Sequence, residues 1–247
     1  MNGRPALSGR SGNLLRDIAG LIWPRGCAGC DRPDDVLCPQ CRALMSMTVE
    51  RPLAGRGGAV SASCGVYRGP VRHAILSWKD HGDVECDGPF AVLLADLAVR
   101  CGAAVSGTPL TLVPAPSSTT SMRRRGRAHM CDLTSRTARE LRRRGYDVRC
   151  VPLLRNGAVG GKSVETTGAS QRGERIRGRI GVVGAADTRI EGLVYLTDDI
   201  VTTGSTLRQC VAALADAGIG VAGALTLASV PERGDADAAG WPGMTMP

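Results

Sequence analysis

Aromatic residues are scarce in this sequence, which has one Phe, three Tyr and three Trp among 247 residues. The core must therefore consist mostly of Ala, Val, Leu and Ile, a composition that suits a parallel sheet packed between helices. The scarcity also counts against tight binding of single-stranded nucleic acid, because such binding stacks bases on aromatic side chains.

Long apolar runs are lacking as well. The stretch at 90–99 is interrupted by Asp96 and is shorter than the roughly 20 residues of a membrane-spanning helix. Residues 1–13 are polar and glycine-rich, and the apolar stretch at 14–23 contains charged residues and leads into cysteines, so we expect no secretory signal. The sequence thus predicts a soluble, cytoplasmic protein without a membrane span.

The ten cysteines divide into two groups. Four form close pairs near the N terminus, and the others stand singly in apolar or helical contexts. In a protein that is not secreted, single cysteines are best interpreted as reduced, small core residues. These are Cys64, Cys86, Cys101, Cys131, Cys150 and Cys210.

The paired cysteines form two CxxC turns, Cys27 with Cys30 and Cys38 with Cys41. Each turn directs two thiolates at one point, and four thiolates complete a tetrahedral sulfur shell for Zn²⁺. Two redox dithiols or a pair of disulfides are the alternatives, and neither explains two matched turns on so short a loop. Because no histidine or carboxylate is placed to leave an open position, we expect a closed, structural zinc site that folds residues 25–45.

The formal net charge is +8, and arginines clustered at 123–127, 136–144 and 172–179 supply much of the excess. A basic balance favours anionic partners. Phosphates on a small ligand and phosphates along a nucleic acid are both compatible with it.

The chain divides into three predicted regions. They are an N-terminal helix and zinc knuckle at 14–50, an α/β domain at 59–231 that follows a linker at 51–58, and a disordered tail at 232–247. In the α/β domain, strands alternate with helices, which predicts a parallel sheet that binds ligands at its carboxyl edge. The predicted strands are 59–67, 110–113, 148–154, 193–197 and 219–229, the predicted helices are 71–79, 90–101, 126–144 and 205–217, and 155–179 is a predicted mobile loop.

The most informative segment follows the apolar strand at 193–197. Two carboxylates, Asp198 and Asp199, end this strand, and a helix then opens on the turn Thr202, Thr203, Gly204, Ser205 and Thr206. A helix start built from small hydroxyl residues and glycine offers backbone N–H groups to a phosphate, and the acids can accept hydrogen bonds from a diol. A phosphate site beside a diol site indicates a ribose 5-phosphate ligand. Alternatively, a threonine caps the helix and the acids face solvent, but an acid pair at a buried strand end is costly without a ligand.

This segment resembles the phosphoribosyl-pyrophosphate-binding motif of type I phosphoribosyltransferases. Residues 14–230 as a whole resemble the ComF family, which places a four-cysteine knuckle in front of that fold. Further matching residues are Lys79 in Trp-Lys-Asp-His-Gly, the Val-Pro-Ala-Pro turn at 113–116, Arg125 with Gly126, Ser170 with Gln171, and Arg175. The chain departs from the family where Arg127, Ala128 and His129 replace an aromatic residue, Asn and Gln, and where the segment after Gln171 is a few residues shorter.

The resemblance implies a Rossmann-like parallel sheet flanked by helices and a role for each motif. Thr202–Thr206 would hold the 5-phosphate of phosphoribosyl pyrophosphate, Asp198 and Asp199 would bind the ribose hydroxyls and stabilise the reacting carbon, and Ala115 and Pro116 would hold the pyrophosphate with Mg²⁺. Lys79, Arg125 and Arg127 are candidates for the anionic end, or else solvated surface charges. The loop with Lys162, Gln171, Arg172 and Arg175 is a candidate lid or an ordinary insertion. His129 is a candidate pyrophosphate contact or else an exposed residue on an arginine-rich helix, and we favour exposure.

Three functions follow from these observations. The first is transfer of phosphoribose to an unknown acceptor, whose pocket we expect in segments 59–90 and 155–180. The second is a non-catalytic role in DNA uptake during competence, with single-stranded DNA or a competence helicase as partner, since ComF-like proteins are associated with that process. The third is regulatory binding of a phosphoribosyl metabolite without turnover.

Overall fold

The computed structural model describes the protein over residues 25–53, 59–117, 126–156, 180–183 and 190–231. Several predicted features lie outside these ranges. They are the N-terminal helix, the tail at 232–247, Arg125, and the candidate lid residues Lys162, Gln171, Arg172 and Arg175.

The described residues form an α/β structure. Its strands are β1 (Val49–Pro52), β2 (Val60–Ser63), β3 (Leu110–Pro114), β4 (Val148–Cys150), β5 (Leu154–Asn156), β6 (Ile180–Val182), β7 (Leu193–Val201) and β8 (Gly223–Ser229). Its helices are α1 (Pro39–Leu44), α2 (Gly69–Asp80), α3 (Asp87–Arg100), α4 (His129–Arg143) and α5 (Ser205–Asp216), with a 3₁₀ turn at Val84–Cys86.

Six strands form one sheet in the order β1-β2-β8-β7-β3-β4. All neighbours pair in parallel except β1, which runs antiparallel to β2 at one edge. The predicted α/β class, a mostly parallel sheet flanked by helices with a four-cysteine cluster near the N terminus, is therefore confirmed.

Both faces of the sheet are covered, as the near-continuous apolar strands predict. Every residue of β3 and of β8 is buried. Helices α2, α3 and α4 contribute to one core cluster, and α5 contributes Leu207, Cys210 and Leu214 to the other. Helix α4 is strongly amphipathic, with Leu133 and Leu141 buried and its arginines outward. None of the helices among the described residues is both long and apolar enough to cross a membrane.

Strand β7 extends beyond the predicted end at residue 197. It runs through the two acids to Val201, because β8 stays paired with it as far as Ser229. Strand β3 stops earlier, at Pro114 opposite Thr197, and the Ala115 amide makes a last hydrogen bond to the Thr197 carbonyl. Pro116 has no N–H to continue the ladder. At the carboxyl edge of the sheet, β7 therefore extends beyond β3. Asp198 and Asp199 lie on this extension.

Other boundaries also differ from the predictions. The predicted strand 148–154 is two strands, and the second, β5, leaves the main sheet to pair with β6, because Pro152 interrupts the run. Strand β1 includes Arg51 and Pro52, which were assigned to the linker. Helix α4 begins at His129 instead of residue 126, since Gly126 has a left-handed φ of 67°. Strands β2 and β8 are shorter than predicted.

Candidate functional site

The four N-terminal cysteines converge on one point. The Sγ atoms of Cys27, Cys30, Cys38 and Cys41 all lie within 4.8 Å of one another, and those of Cys30 and Cys38 are 3.6 Å apart. A tetrahedral zinc ion with Zn–S bonds of about 2.3 Å would hold its sulfurs about 3.8 Å apart. All four are free thiols, and the arrangement fits a metal ion such as zinc.

Backbone amides surround these sulfurs. The amide of Cys38 donates to Cys27 Sγ at 3.2 Å, and that of Cys41 donates to Cys38 Sγ at 3.5 Å. Burial raises the pKa of Cys27, but amide hydrogen bonds outweigh burial and lower this pKa to about 7. The environment of Cys27 thus favours the thiolate that a metal requires, whereas burial raises the pKa of Cys30 and of Cys41.

The knuckle, residues 25–45, packs directly on helix α2. A Cβ atom added at Gly29 would lie 2.8 Å from Cys41 Sγ and 3.0 Å from the Pro70 carbonyl oxygen, so only glycine fits between them. Cys27, Cys38, Cys41 and Met45 belong to the same buried cluster as the apolar face of α2. The position of α2 therefore depends on the knuckle.

Asp199 is a buried carboxylate with two basic partners. It is 6% exposed, forms an ion pair with Lys79 of α2, and lies 3.4 Å from Nε2 of His129 at the start of α4. The other ring nitrogen of His129 lies 3.4 Å from Ser117 Oγ. Burial raises the pKa of Asp199, but His129 and Lys79 together hold it below its usual value. Asp199 is thus ionised and fixed in place.

Asp198 has a different environment. Its Oδ1 accepts a hydrogen bond from the Asp199 amide at 2.9 Å, and within the described ranges it forms no ion pair. Burial and the negative charge of Asp199 raise the pKa of Asp198 to about 7. Of the two acids, Asp198 is the one whose carboxyl group remains available to a ligand.

The turn after β7 opens helix α5 without a side-chain cap. Thr202, Thr203, Ser205 and Thr206 are exposed, whereas Gly204 is buried with a left-handed φ of 70°. No threonine side chain caps α5, so the alternative in which a threonine caps this helix is wrong. Amides at an uncapped helix start, together with the helix dipole, favour an anion.

One cavity joins most of the predicted site residues. It has a volume of about 460 Å³ and brings together Lys79, Ala115, Pro116, Asp198, Asp199, Thr202 and Thr206. Thr203, Gly204 and Ser205 belong to the same turn. Ser117, Asn156 and Gln209 also line the cavity and were not predicted for the site. His129, a candidate pyrophosphate contact in the sequence, lines it too.

A second cavity of about 270 Å³ lies beside the first. Lys79 and His129 line both cavities and so form the boundary between them. The remaining lining residues come from the end of α2 and the loop after it, together with Arg127.

Two residues differ from the sequence-based expectations. His129 is 4% exposed, not surface-exposed, because its ring packs edge-on against Trp78 at a centroid distance of 5.1 Å. Arg127 is neither a solvated surface charge nor directed at the first cavity, since it donates two hydrogen bonds of 2.7 Å to Asp87. Asp87 was missed, since an acid before an apolar run normally indicates only a helix start.

The chain matches no protein-family model, and no curated protein sequence matches it. Among solved structures, it is similar to an adenine phosphoribosyltransferase from Thermoanaerobacter pseudethanolicus, with a TM-score of 0.33 and 14% identity over 75% of this chain and 85% of that chain. A likeness at this level assigns no role to any residue.

Proposed function

We propose that the protein is a ComF-like phosphoribosyltransferase that binds phosphoribosyl pyrophosphate, or a similar ribose 5-phosphate, with Mg²⁺. It would transfer the phosphoribosyl group to an acceptor. The observation that carries this proposal is the single cavity that links the uncapped start of α5 to the acid pair on β7.

The phosphate end is supported by the turn at 202–206. Its four hydroxyl side chains are exposed, and Arg208 places a guanidinium beside it by donating to the Thr203 carbonyl at 2.6 Å. Backbone amides, hydroxyl groups and a nearby cation are the groups that hold a phosphate dianion.

The ribose end is supported by the different states of the two acids. Asp198 can accept hydrogen bonds from the ribose hydroxyls, while Asp199 contributes a fixed negative charge. In the reaction, the bond from the anomeric carbon to the pyrophosphate oxygen breaks and a bond to the acceptor forms. The carbon becomes cationic in the transition state, and the nearby carboxylates stabilise that charge.

The pyrophosphate would lie against Ala115 and Pro116 with Lys79 nearby, since all three line the cavity. Carboxylate oxygens such as those of Asp198 are ligands that Mg²⁺ accepts. When bound, Mg²⁺ would neutralise charge on the leaving pyrophosphate.

The acceptor would enter from the second cavity. This cavity lies across Lys79 and His129 from the first, and its walls come from the predicted acceptor segment at 59–90 together with Arg127 and His129. Its 270 Å³ is just below the usual range for drug-sized ligands, so it suits a small ring compound.

Titration calorimetry with phosphoribosyl pyrophosphate and Mg²⁺ tests the binding step. We expect wild type to bind and the Asp198→Asn/Asp199→Asn variant to bind at least tenfold more weakly, because both variant side chains keep their shape but lose their charge. Asp216→Asn, an exposed acid at the far end of α5, is the matched control. Equal affinity in all three proteins would contradict the proposal. Pyrophosphate release with a panel of bases then separates transfer from regulatory binding.

For the knuckle, we propose one structural Zn²⁺ held by Cys27, Cys30, Cys38 and Cys41. The four sulfurs leave no open position for a substrate, and the knuckle supports α2, which carries Lys79. The ion would thus contribute to the site through folding and not through chemistry.

A second candidate function rests on the outer face of α4. Arg136, Arg139, Arg142 and Arg143 are exposed on this helix, and an arginine-rich face can follow a phosphate backbone. This would suit a cytoplasmic role in DNA uptake, with single-stranded DNA or a competence helicase as partner. DNA affinity that falls steeply with salt and is unchanged in the Asp198→Asn/Asp199→Asn variant would support it.

A further inference from the structure

Asp87, the first residue of α3, is a buried acid outside the cavity that we assign to the donor. It is 1% exposed and lies between α2 and the segment that leads into α4. Its Oδ1 accepts a hydrogen bond of 2.6 Å from the Trp78 indole, and the Arg127 guanidinium donates to both of its oxygens at 2.7 Å. Arg136 adds a longer contact at 3.6 Å. This cluster is fully hydrogen-bonded and rigid.

The two groups that Asp87 holds are close in sequence to the two partners of Asp199. Trp78 directly precedes Lys79 on α2, and Arg127 stands two residues before His129. Trp78 also contacts the His129 ring edge-on, and Phe90 of α3 packs edge-on against Trp78 at a centroid distance of 5.6 Å. A shift of Asp87 would therefore move Lys79 and His129 together.

Within the described residues before α4, Arg127 has two further contacts, since its guanidinium lies 5.9 Å from the centroid of the Trp78 ring and 3.9 Å from an Asp132 oxygen. Helix α4 has no side-chain cap, and its N-cap residue, Ala128, has no polar side chain. Of these contacts, the paired hydrogen bonds from Arg127 to Asp87 are the strongest, because they are bidentate and charge-assisted.

We propose that Asp87 is a positioning residue, which orients Lys79 through Trp78 and His129 through Arg127 so that both meet Asp199. It touches no ligand itself. This inference goes beyond the donor site. It rests on the proposed function only in the experiment that measures ligand affinity.

The test compares two acid-to-amide variants on the same helix. Asp87→Asn presents an NH₂ group to the Arg127 donors and breaks their paired hydrogen bonds. Asp96→Asn is the matched control, because Asp96 lies on the same helix, nine residues after Asp87, and accepts a hydrogen bond of 2.6 Å from a different arginine, Arg144. Arg127→Gln, at a half-buried position, is the second test variant if Asp87→Asn does not fold.

The first readout is the imidazole C–H resonances of the three histidines. If Asp87 positions His129, Asp87→Asn or Arg127→Gln shifts the resonance of His129 and leaves that of His73 unchanged, whereas Asp96→Asn alters neither. An unchanged His129 in both test variants would overturn the inference. This readout needs no ligand, so it stands even if the proposed function fails.

The second readout is the affinity for phosphoribosyl pyrophosphate with Mg²⁺. We expect Asp87→Asn to weaken binding about 2- to 30-fold, the range typical of energetic coupling through a packed network, and Asp96→Asn to leave it unchanged. If wild type binds and Asp87→Asn binds equally well, positioning is wrong and the proposed function stands. If wild type does not bind, the proposed function is wrong, and the histidine spectra alone decide whether Asp87 is a positioning residue.

Discussion

His129 Nε2 lies 3.4 Å from Asp199 Oδ2, although the two residues are 70 positions apart in the chain. Lys79 forms an ion pair with the same oxygen. Helices α2 and α4 and strand β7 thus meet at one carboxylate. Because Asp199 is almost fully buried, these partners stabilise its charge in place of water.

Lys79→Gln should therefore leave a buried charge without one of its partners. We expect a loss of about 2 kcal/mol in the free energy of unfolding at neutral pH, below the range for a fully buried pair because Lys79 is partly exposed. Urea unfolding measures this loss. In an Asp199→Asn background the same substitution should cost much less, since the charge that Lys79 neutralises is gone.

The control for this cycle is Arg144→Gln, which removes an exposed ion pair with Asp96. Exposed pairs contribute about 0 to 1 kcal/mol, so this variant should stay close to wild type in both backgrounds. Equal costs of Lys79→Gln with and without Asp199 would show that the pair does not stabilise the fold.

Asp198 predicts a pH dependence of stability. Burial and the charge of Asp199 raise its pKa in the folded protein to about 7. Between about pH 4 and pH 7 the folded protein keeps this proton while the unfolded chain has released it, so the stability contributed by Asp198 falls as pH rises. Asp198→Asn cannot ionise and escapes this loss.

Urea unfolding across this range provides the measurement. The free energy of unfolding of Asp198→Asn minus that of wild type should increase from about pH 4 to pH 7 and then level off. For the exposed Asp216→Asn variant, the same difference should stay nearly constant. A constant difference for Asp198→Asn would mean that this carboxyl group titrates normally.

The sequence was sufficient to predict the features that depend on neighbours in the chain. An apolar strand, two acids and a turn of small hydroxyl residues at 193–206 lie together in the sequence, and the structure keeps them together at one cavity. The same holds for the two CxxC turns, whose spacing alone indicates convergence. Each of these patterns is local, so its geometry follows from short-range chemistry.

Contacts between distant residues could not be predicted in this way. Nothing in the segment around His129 indicates that it faces Asp199, and an isolated histidine beside arginines is typical of a surface. The length of β7 was also missed, because charged residues normally end an apolar strand pattern, whereas here pairing with β8 continues the strand through Asp199. Tertiary packing outweighed local preference in both cases.

Gly204 and Gly218 lie at opposite ends of α5, and both have left-handed backbone conformations, with φ of 70° and 77°. Replacing either by Ala should cost about 1 kcal/mol in the free energy of unfolding. Only Gly204→Ala should weaken binding of phosphoribosyl pyrophosphate, by about tenfold or more, because strain at the left-handed backbone of residue 204 would displace the amides of the turn at 202–206.

Gly218→Ala is the matched control, since a Cβ there meets nothing within 4 Å. Calorimetric titration of both variants alongside wild type makes the comparison. If Gly204→Ala keeps the wild-type affinity at equal stability, the turn at 202–206 does not hold the phosphate.

Cys30 gives the sharpest test of the proposed zinc site, because it is the exposed member of the cluster. Without a metal, replacing an exposed side chain changes the free energy of unfolding by about 0.5 kcal/mol or less. If Cys30 is a zinc ligand, Cys30→Ser should instead cost several kcal/mol in the free energy of unfolding and lower the zinc content of the purified protein. Adding a chelator to this variant should then have almost no further effect. Cys131→Ser, at a half-buried cysteine outside the cluster, should keep both the zinc and the chelator sensitivity of wild type. Metal analysis, and thermal unfolding with and without chelator, measure these quantities. If Cys30→Ser is as stable as Cys131→Ser, the knuckle folds without a metal.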